Sequence, residues 1–213
     1  QAPIHFADQE WLIQEQEFTA GKLNLGLIPH QQDEMKRIHT DLTGQYQVKN
    51  IMGVLSAVKI LQQAGWELPE ETVLTALSHV KKLTGLRGRW DVIAHNPVTI
   101  LDVGHNEAGI TEIMQQLQHM VYRQLHIVTG FVKDKEVDKV LSLFPSSATY
   151  YFCKAQIPRA LDEHTLAEMA HAHGLRGHEY ATVQQAFQAA QQHAHAEDVI
   201  LVCGSFFIVA EVM

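Results

Sequence analysis

Cysteine is scarce: Cys153 and Cys203 are the only two in 213 residues, and both sit in apolar runs. That excludes a disulfide framework and a cysteine-built zinc site. It reads as two reduced, buried thiols of a cytosolic protein. Proline (6) and glycine (13) are too few for a fibrous or low-complexity chain. No apolar run reaches the roughly 18 residues that span a bilayer. The opening QAPIHFADQE has neither the basic start nor the apolar stretch of a signal peptide. Lys+Arg (16) is outnumbered by Asp+Glu (24), a net charge of −8. No overall basic field exists for nucleic acid or an anionic membrane, although a local cationic site is compatible with that balance. The P-loop pattern G-x-x-x-x-G-K-[ST] is absent, as is the G-x-S-x-G elbow of serine hydrolases.

Apolar residues make up 46% of the chain and supply a core. Segments 3–7 and 23–28 read as strands, and 39–46 as a strand running into a turn. Ile51, Val54, Leu55, Val58 and Leu61 share one helical face, with Gly65 placed as a helix-ending residue. A second helix is expected from Pro69, carrying Val73, Leu74, Leu77 and Val80 on its face and stopping before Gly85. The pattern then changes. Apolar runs at 98–103, 125–129, 148–153 and 198–203, with a short one at 178–180, alternate with helical patterns at 106–120, 135–143, 163–172 and 183–195. A short packed helix is expected over 205–212. This alternation predicts right-handed βαβ units and a doubly wound, mostly parallel sheet. The domain boundary is placed at residues 83–86, which separates 1–84 from 85–213.

In such a sheet, ligands gather at the carboxyl ends of the strands. The first strand of the second domain ends in Asp102-Val103-Gly104-His105-Asn106. Asp102 can accept hydrogen bonds from a ribose diol. His105 and Asn106 can orient a substrate, and Asn106 can equally be a helix N-cap and nothing more. The G-x-G-x-x-G turn of a nicotinamide-dinucleotide site does not fit Asp-Val-Gly-His-Asn-Glu-Ala-Gly. Arg87 and Arg89, on a glycine-bearing segment, suit a phosphate, or else a hydrated interdomain linker. Backbone N–H groups after Gly204-Ser205 can meet an anion, or Ser205 is simply an N-cap. Lys135 follows a strand end and is a candidate for an anionic substrate, or part of a solvated turn. The pairs His171/His173 and His193/His195 are spaced i, i+2, so on a helix they share no face for a metal, and they read as exposed.

Taken in order, several segments resemble the folylpolyglutamate synthase/dihydrofolate synthase branch of the Mur ligase superfamily. TGLRGRWDVIAHNPVTILDVGHNEAGI, from Thr84, resembles its "PGR … ILDGAHNP" signature. Tyr46-Gln47-Val48-Lys49-Asn50 is similar to "HQ-x-x-N", Gly130 with Asp134-Lys135-Glu136 to "G…DKD", Pro158-Arg159-Ala160 to "PRA", and residues 203–212 to the closing "GSLYLVGEV". The similarity covers about residues 40–213. Departures fall in the loops: Arg87 stands for the proline of "PGR", and Tyr46 for the histidine of "HQ".

The resemblance implies a Rossmann-like Mur ligase C-terminal domain, preceded by the tail of a central ATPase domain. It implies an ATP-dependent amide ligase that joins L-glutamate to dihydropteroate or folate through an acyl phosphate. Asn50 would lie near adenine, Arg89 near the ATP phosphates and Asp102 near the ribose. His105, the one catalytic candidate, would lie at the nucleotide or glutamate end of the cleft, with Lys135 and Ser205 as further substrate candidates. The family's P-loop and Mg2+ ligands have no counterpart in this sequence and are expected upstream of Gln1. The chain then reads as an excerpt, inactive as a ligase by itself, of a cytoplasmic enzyme without nucleic-acid or membrane partners. The alternatives are a peptidoglycan amino-acid ligase of the same superfamily and a non-catalytic module that binds a nucleotide or a partner.

Overall fold

The computed structural model describes residues 4–19, 21–30, 33–133 and 136–213. The chain divides into two units, Gln1–Arg87 and Gly88–Met213.

In the first unit a short helix α1 (Ala7–Glu10) leads into strands β1 (Trp11–Thr19), β2 (Lys22–Pro29) and β3 (Lys36–Thr40), an antiparallel sheet in that order. Helices α2 (Gln47–Gln63), α3 (Glu70–Ser78) and α4 (Val80–Thr84) follow. Alternate residues Leu23, Leu25 and Leu27 of β2, with Ile38 of β3, point at Val48, Ile51, Met52 and Leu55 of α2. The period of two along the strand meets the helical period, and both faces leave water together.

Three expectations need correction here, and one strand was missed. Among residues 4–7 there is no strand, because residue 7 already opens α1. The long strand β1 escapes periodicity because it is a sheet edge exposed at every position but Trp11. The buried stripe of α2 is Val48, Ile51, Met52 and Leu55, whereas Val54, Ile60 and Leu61 face outward. Two apolar stripes were available, and only the packing partner chooses between them. The helix expected from Pro69 is broken at His79. Ser78 Oγ donates to the Thr75 carbonyl, and the Asp41 carboxylate accepts the Lys81 N–H at 3.0 Å, so α4 starts afresh. Gly65 (φ 92) ends α2 as expected. Its N–H reaches the Gln62 carbonyl at 3.0 Å and that of Trp66 reaches Leu61 at 3.1 Å.

The second unit runs β4 (Asp91–His95), β5 (Val98–Leu101), α5 (Glu107–Leu117), β6 (Leu125–Thr129), α6 (Val137–Leu141), β7 (Thr149–Cys153), α7 (Glu163–Ala172), β8 (Arg176–Tyr180), α8 (Val183–His193), β9 (Val199–Cys203) and α9 (Phe206–Ala210). The strands form one sheet in the order β4-β5-β9-β6-β7-β8. Every pairing is parallel except β4 with β5. The antiparallel edge β4 went unforeseen because only Asp91 of it is buried.

Each central strand feeds two cores. Ile100, Ile127, Tyr150, Phe152 and Leu201 pack under α5, α6 and α7 on one face. Leu101, Val128, Tyr151, Ile200 and Val202 pack under α8 and α9 on the other. The doubly wound, mostly parallel sheet expected from the alternation is what forms. Cys153 and Cys203 are both buried and free. They point into opposite cores, so the sheet separates them. Burial pushes both thiols well above the ordinary range.

At the amino-terminal edge of the sheet, Asp198 collects donors. Arg123 gives Nε and Nη2 at 2.9 and 3.0 Å, and the His195 N–H reaches it at 2.7 Å. Buried His126 lies beside it, Nε2 at 3.3 Å from Asp198 and Nδ1 at 2.9 Å from the Tyr151 hydroxyl. That hydroxyl also meets Nδ1 of His193, exposed as expected, at 3.3 Å, and half-buried His173 pairs with Asp138 at 2.8 Å. The Arg123 guanidinium holds the Asp198 carboxyl well below the carboxylate range, whereas burial lowers His126. A lowered imidazole pKa means that the unfolded chain takes up the proton first. Its stability term is therefore complete above the unfolded value of about 6.5 and is lost as pH falls through that region. His164, raised by Glu179, acts with the opposite sign in the same window. The wild-type minus His126→Gln difference in unfolding free energy should accordingly shrink as pH falls from about 7.5 to 5. A pH series of urea denaturation checks this, and a difference independent of pH contradicts it.

Candidate functional site

Helix α5 leaves β5 toward one face of the sheet, and α9 leaves the neighbouring β9 toward the other. Between strands whose connections depart in opposite directions, the carboxyl ends open a crevice. Three loops converge there: 102–106 after β5, 130–133 after β6, and 204–205 after β9.

They converge on backbone. The Gly204 N–H donates to the Gly104 carbonyl at 2.9 Å, and the Asp102 N–H to Val202 at 3.0 Å. Gly204 has φ 107, and a Cβ there would stand 2.5 Å from the Gly130 carbonyl oxygen and 2.6 Å from Thr129 Oγ1. A Cβ on Gly130 would run into the Cys153 carbonyl. Gly130 is required by contact, and Gly204 by contact and its positive φ together.

Asp102 is buried. One carboxylate oxygen accepts the N–H of Trp90 at 2.8 Å and the other that of Gly104 at 2.9 Å. Gly88 (φ 68) and Trp90 (φ 48) both sit in the left-handed region, with Arg89 between them. The Gly88 carbonyl accepts the Val103 N–H at 3.0 Å, while the Trp90 indole is buried in the core beneath α5. Arg89 is half-buried, and its guanidinium has no hydrogen bond or ion pair among the described residues. His105 is exposed, and its Nδ1–H donates to the Val103 carbonyl at 3.0 Å. In the neutral ring that leaves Nε2 as the acceptor.

Two neighbours take the plainer of their two expected roles. Asn106 Oδ1 accepts the Gly109 N–H at 2.8 Å and caps α5. Ser205 Oγ accepts the Ile208 N–H at 3.2 Å and caps α9. Asn50 lies in the first unit, exposed on α2, with its amide on the Gln47 side chain at 2.9 Å. Lys135 and Asp134 lie outside the described residues. The second unit therefore brings Arg89, Asp102, His105 and Ser205 to one edge of one sheet.

Other residues there were not named as site candidates, although Arg159 belongs to the segment similar to "PRA". The loops after β6 and β7 are zipped by Lys133 N–H to the Arg159 carbonyl at 2.9 Å and Leu161 N–H to Phe131 at 2.8 Å. Arg159 lies 5.3 Å from the Phe207 ring centroid. Lys154, at the end of β7, is held by Glu163 at 2.9 Å and Asp162 at 3.4 Å, and the Glu163 carboxylate keeps its amine charged further up in pH. A lysine directly after a buried strand was the available signal. Trp90 carried none, since its role is a backbone conformation. Among the described residues no group of His, Cys, Asp and Glu is arranged to hold a metal ion.

In open α/β sheets, strand-end loops such as these are where ligands bind. Residues 88–206 match the family model described as Mur ligase, glutamate ligase domain, and the chain belongs to that family. Within it, the chain is of the folylpolyglutamate synthase/dihydrofolate synthase-like kind and corresponds to the C-terminal region. It is similar to a probable bifunctional folylpolyglutamate synthase/dihydropteroate synthase of Haloferax volcanii, 28% identical over 175 residues, 82% of this chain and 20% of that protein. It is similar also to the dihydrofolate synthase/folylpolyglutamate synthase of Escherichia coli, 29% identical over 160 residues, 74% of this chain and 36% of that protein. In fold it resembles Mycobacterium tuberculosis folylpolyglutamate synthase complexed with ADP and AMPPCP, with a TM-score of 0.79 at 23% identity over 95% of this chain and 47% of that one. The chain spans less than half the length of these relatives.

The glycine contacts make a direct prediction. Gly204→Ala meets backbone oxygen and a left-handed φ together, and should cost about 3 kcal/mol or more. Gly174→Ala has the same sign of φ but open space around it, and should cost only about 1–2 kcal/mol. Chemical denaturation of the two variants separates close approach from backbone conformation.

Proposed function

We propose that this chain is the carboxyl-terminal part of an ATP-dependent amide ligase that adds L-glutamate to dihydropteroate or folate. The observation that supports this most is the family match across 88–206, combined with an Arg89 near the strand ends whose guanidinium has no partner among the described residues. On this reading residues 1–84 are the tail of the central ATPase domain. In the reaction, a carboxylate oxygen attacks the γ-phosphorus of ATP and ADP leaves. The glutamate amine then attacks the acyl carbon of the resulting acyl phosphate, inorganic phosphate leaves, and the amine gives up a proton.

The roles of this chain's residues follow from their chemistry. Arg89 offers a planar cation to the triphosphate, where charge redistributes as the phosphoryl group transfers. Asp102 is the candidate for the ribose. His105, with Nε2 as acceptor, is suited to orient or deprotonate a group at the glutamate end. Lys135 and Ser205 remain substrate candidates, Ser205 through the backbone it fixes. The family's Mg2+ does not fit the described residues, which offer no ligand cluster for it. Two buried thiols support action in the cytoplasm, and among the described residues no helix is long and apolar enough to cross a membrane.

Two outcomes are expected. The purified 213-residue chain should release no phosphate from ATP in the presence of dihydropteroate and glutamate, because it lacks a P-loop. Turnover by this chain alone refutes that division of labour. In the full-length ligase, Arg89→Ala should lower kcat/KM for ATP by about 100-fold or more, the scale of a lost charge-assisted contact to a transferring phosphate. Unchanged kinetics remove Arg89 from the site, and turnover with a UDP-muramoyl peptide in place of a folate moves the assignment to the peptidoglycan branch.

A further inference from the structure

Asp102 does two things at once with backbone. One oxygen closes its own loop onto Gly104 at 2.9 Å, and the other reaches across to the Trp90 N–H at 2.8 Å. The turn it grips is unusual. Gly88 and Trp90 are both left-handed, and a tryptophan keeps that strained conformation only where its surroundings enforce it. Four contacts supply the enforcement: the Asp102 carboxylate on the Trp90 N–H, the Asp91 carboxylate on the Gly88 N–H at 3.5 Å, the Gly88 carbonyl on the Val103 N–H at 3.0 Å, and the Trp90 indole in the core. Gly88 itself is pressed between Val103 and Val209, where an added Cβ would stand 3.0 Å from a methyl of each. The single residue between the two fixed ones is Arg89.

We infer that Asp102 is a positioning residue for Arg89: its carboxylate locks the Gly88-Arg89-Trp90 turn so that the guanidinium is presented to an anion at the end of β5. The role is separate from any ribose contact of the same carboxylate, and it rests on the reading of Arg89 as a phosphate contact. Two backbone N–H groups converge on one buried carboxylate, and only a side chain with two acceptor oxygens satisfies both. An asparagine in its place offers one acceptor and one donor. It can keep Gly104 or Trp90, not both, and its N–H2 meets a backbone N–H head-on. Toward a ribose hydroxyl, which both donates and accepts, asparagine remains a competent partner. Asp102→Asn therefore separates the two roles.

The test is performed on the 213-residue chain by amide NMR, titrating ATP and adenosine and following hydrogen exchange at Trp90 and Gly104. The wild type is expected to bind ATP more tightly than adenosine, with Arg89→Ala abolishing the preference. Asp102→Asn should speed exchange at the Trp90 or Gly104 amide and erase most of the preference, weakening ATP by about 10-fold while adenosine changes less than about twofold. The double variant should bind ATP no more weakly than Arg89→Ala, since two residues acting through one contact are not additive. Should Asp102→Asn fail to fold, Gly88→Ala displaces the same turn, leaves the Asp102 carboxylate intact, and should reduce the preference likewise. Equal losses for ATP and adenosine, or additive effects of Asp102 and Arg89, overturn the inference in favour of direct ribose contact. A wild-type chain with no ATP preference removes the phosphate role of Arg89, and the inference with it. A preference that survives Asp102→Asn overturns the inference and leaves that role standing.

Discussion

Strand β9 is the constraint on which the second unit depends. All five of its residues, Val199 to Cys203, are buried. It is the last strand in the chain and the third in the sheet, hydrogen-bonded to β5 on one side and β6 on the other. Val199, Leu201 and Cys203 enter one core while Ile200 and Val202 enter the other. Without it, β5 has no parallel neighbour and both cores lose their centre. The chain must therefore run through the whole set of βαβ units before the sheet can close, a long-range contact that is made late in sequence.

The same insertion creates the crevice. A strand arriving from the far edge carries its following helix to the face opposite that of its neighbours, so the loops part at its carboxyl end. The loops approach so closely there that a Cβ added to Gly130 or Gly204 would collide with a carbonyl, and one added to Gly104 with the Ile113 side chain. The amino-terminal edge of the sheet is built on another principle. There Arg123, Asp198, His126, Tyr151 and His193 form a hydrogen-bonded line of side chains. One end of the sheet is held by charge and the other by close approach of main chain, which leaves the second end free to present Arg89 and His105.

The strands and helices of the second unit were readable because their periods are strong. Residues 125–129 and 163–172 were anticipated to the residue. Weakly patterned pieces were not. Strands β1 and β4 expose most of their residues, so no alternation of burial marks them. On α2 two apolar stripes compete, and a helical wheel cannot say which meets the sheet. The break at His79 depends on Asp41, 40 positions earlier, reaching the Lys81 N–H. His126 was passed over because one histidine inside a strand has no local signature; its partners lie 25 and 72 positions away.

By itself, the sequence determined the α/β alternation, the two buried thiols and the convergence of Arg89, Asp102, His105 and Ser205 on strand ends. These follow from local hydrophobic period and from the rule that parallel strands expose their loops at one edge. Only the tertiary structure decided what each group does there. Asn106 and Ser205 spend their oxygens capping helices, while Asp102 turns inward to hold the turn that carries Arg89. The reason is physical: a side chain's chemistry is local, but its hydrogen-bond partners are chosen by whichever backbone the fold brings within 3 Å, and that choice is made between residues far apart in sequence.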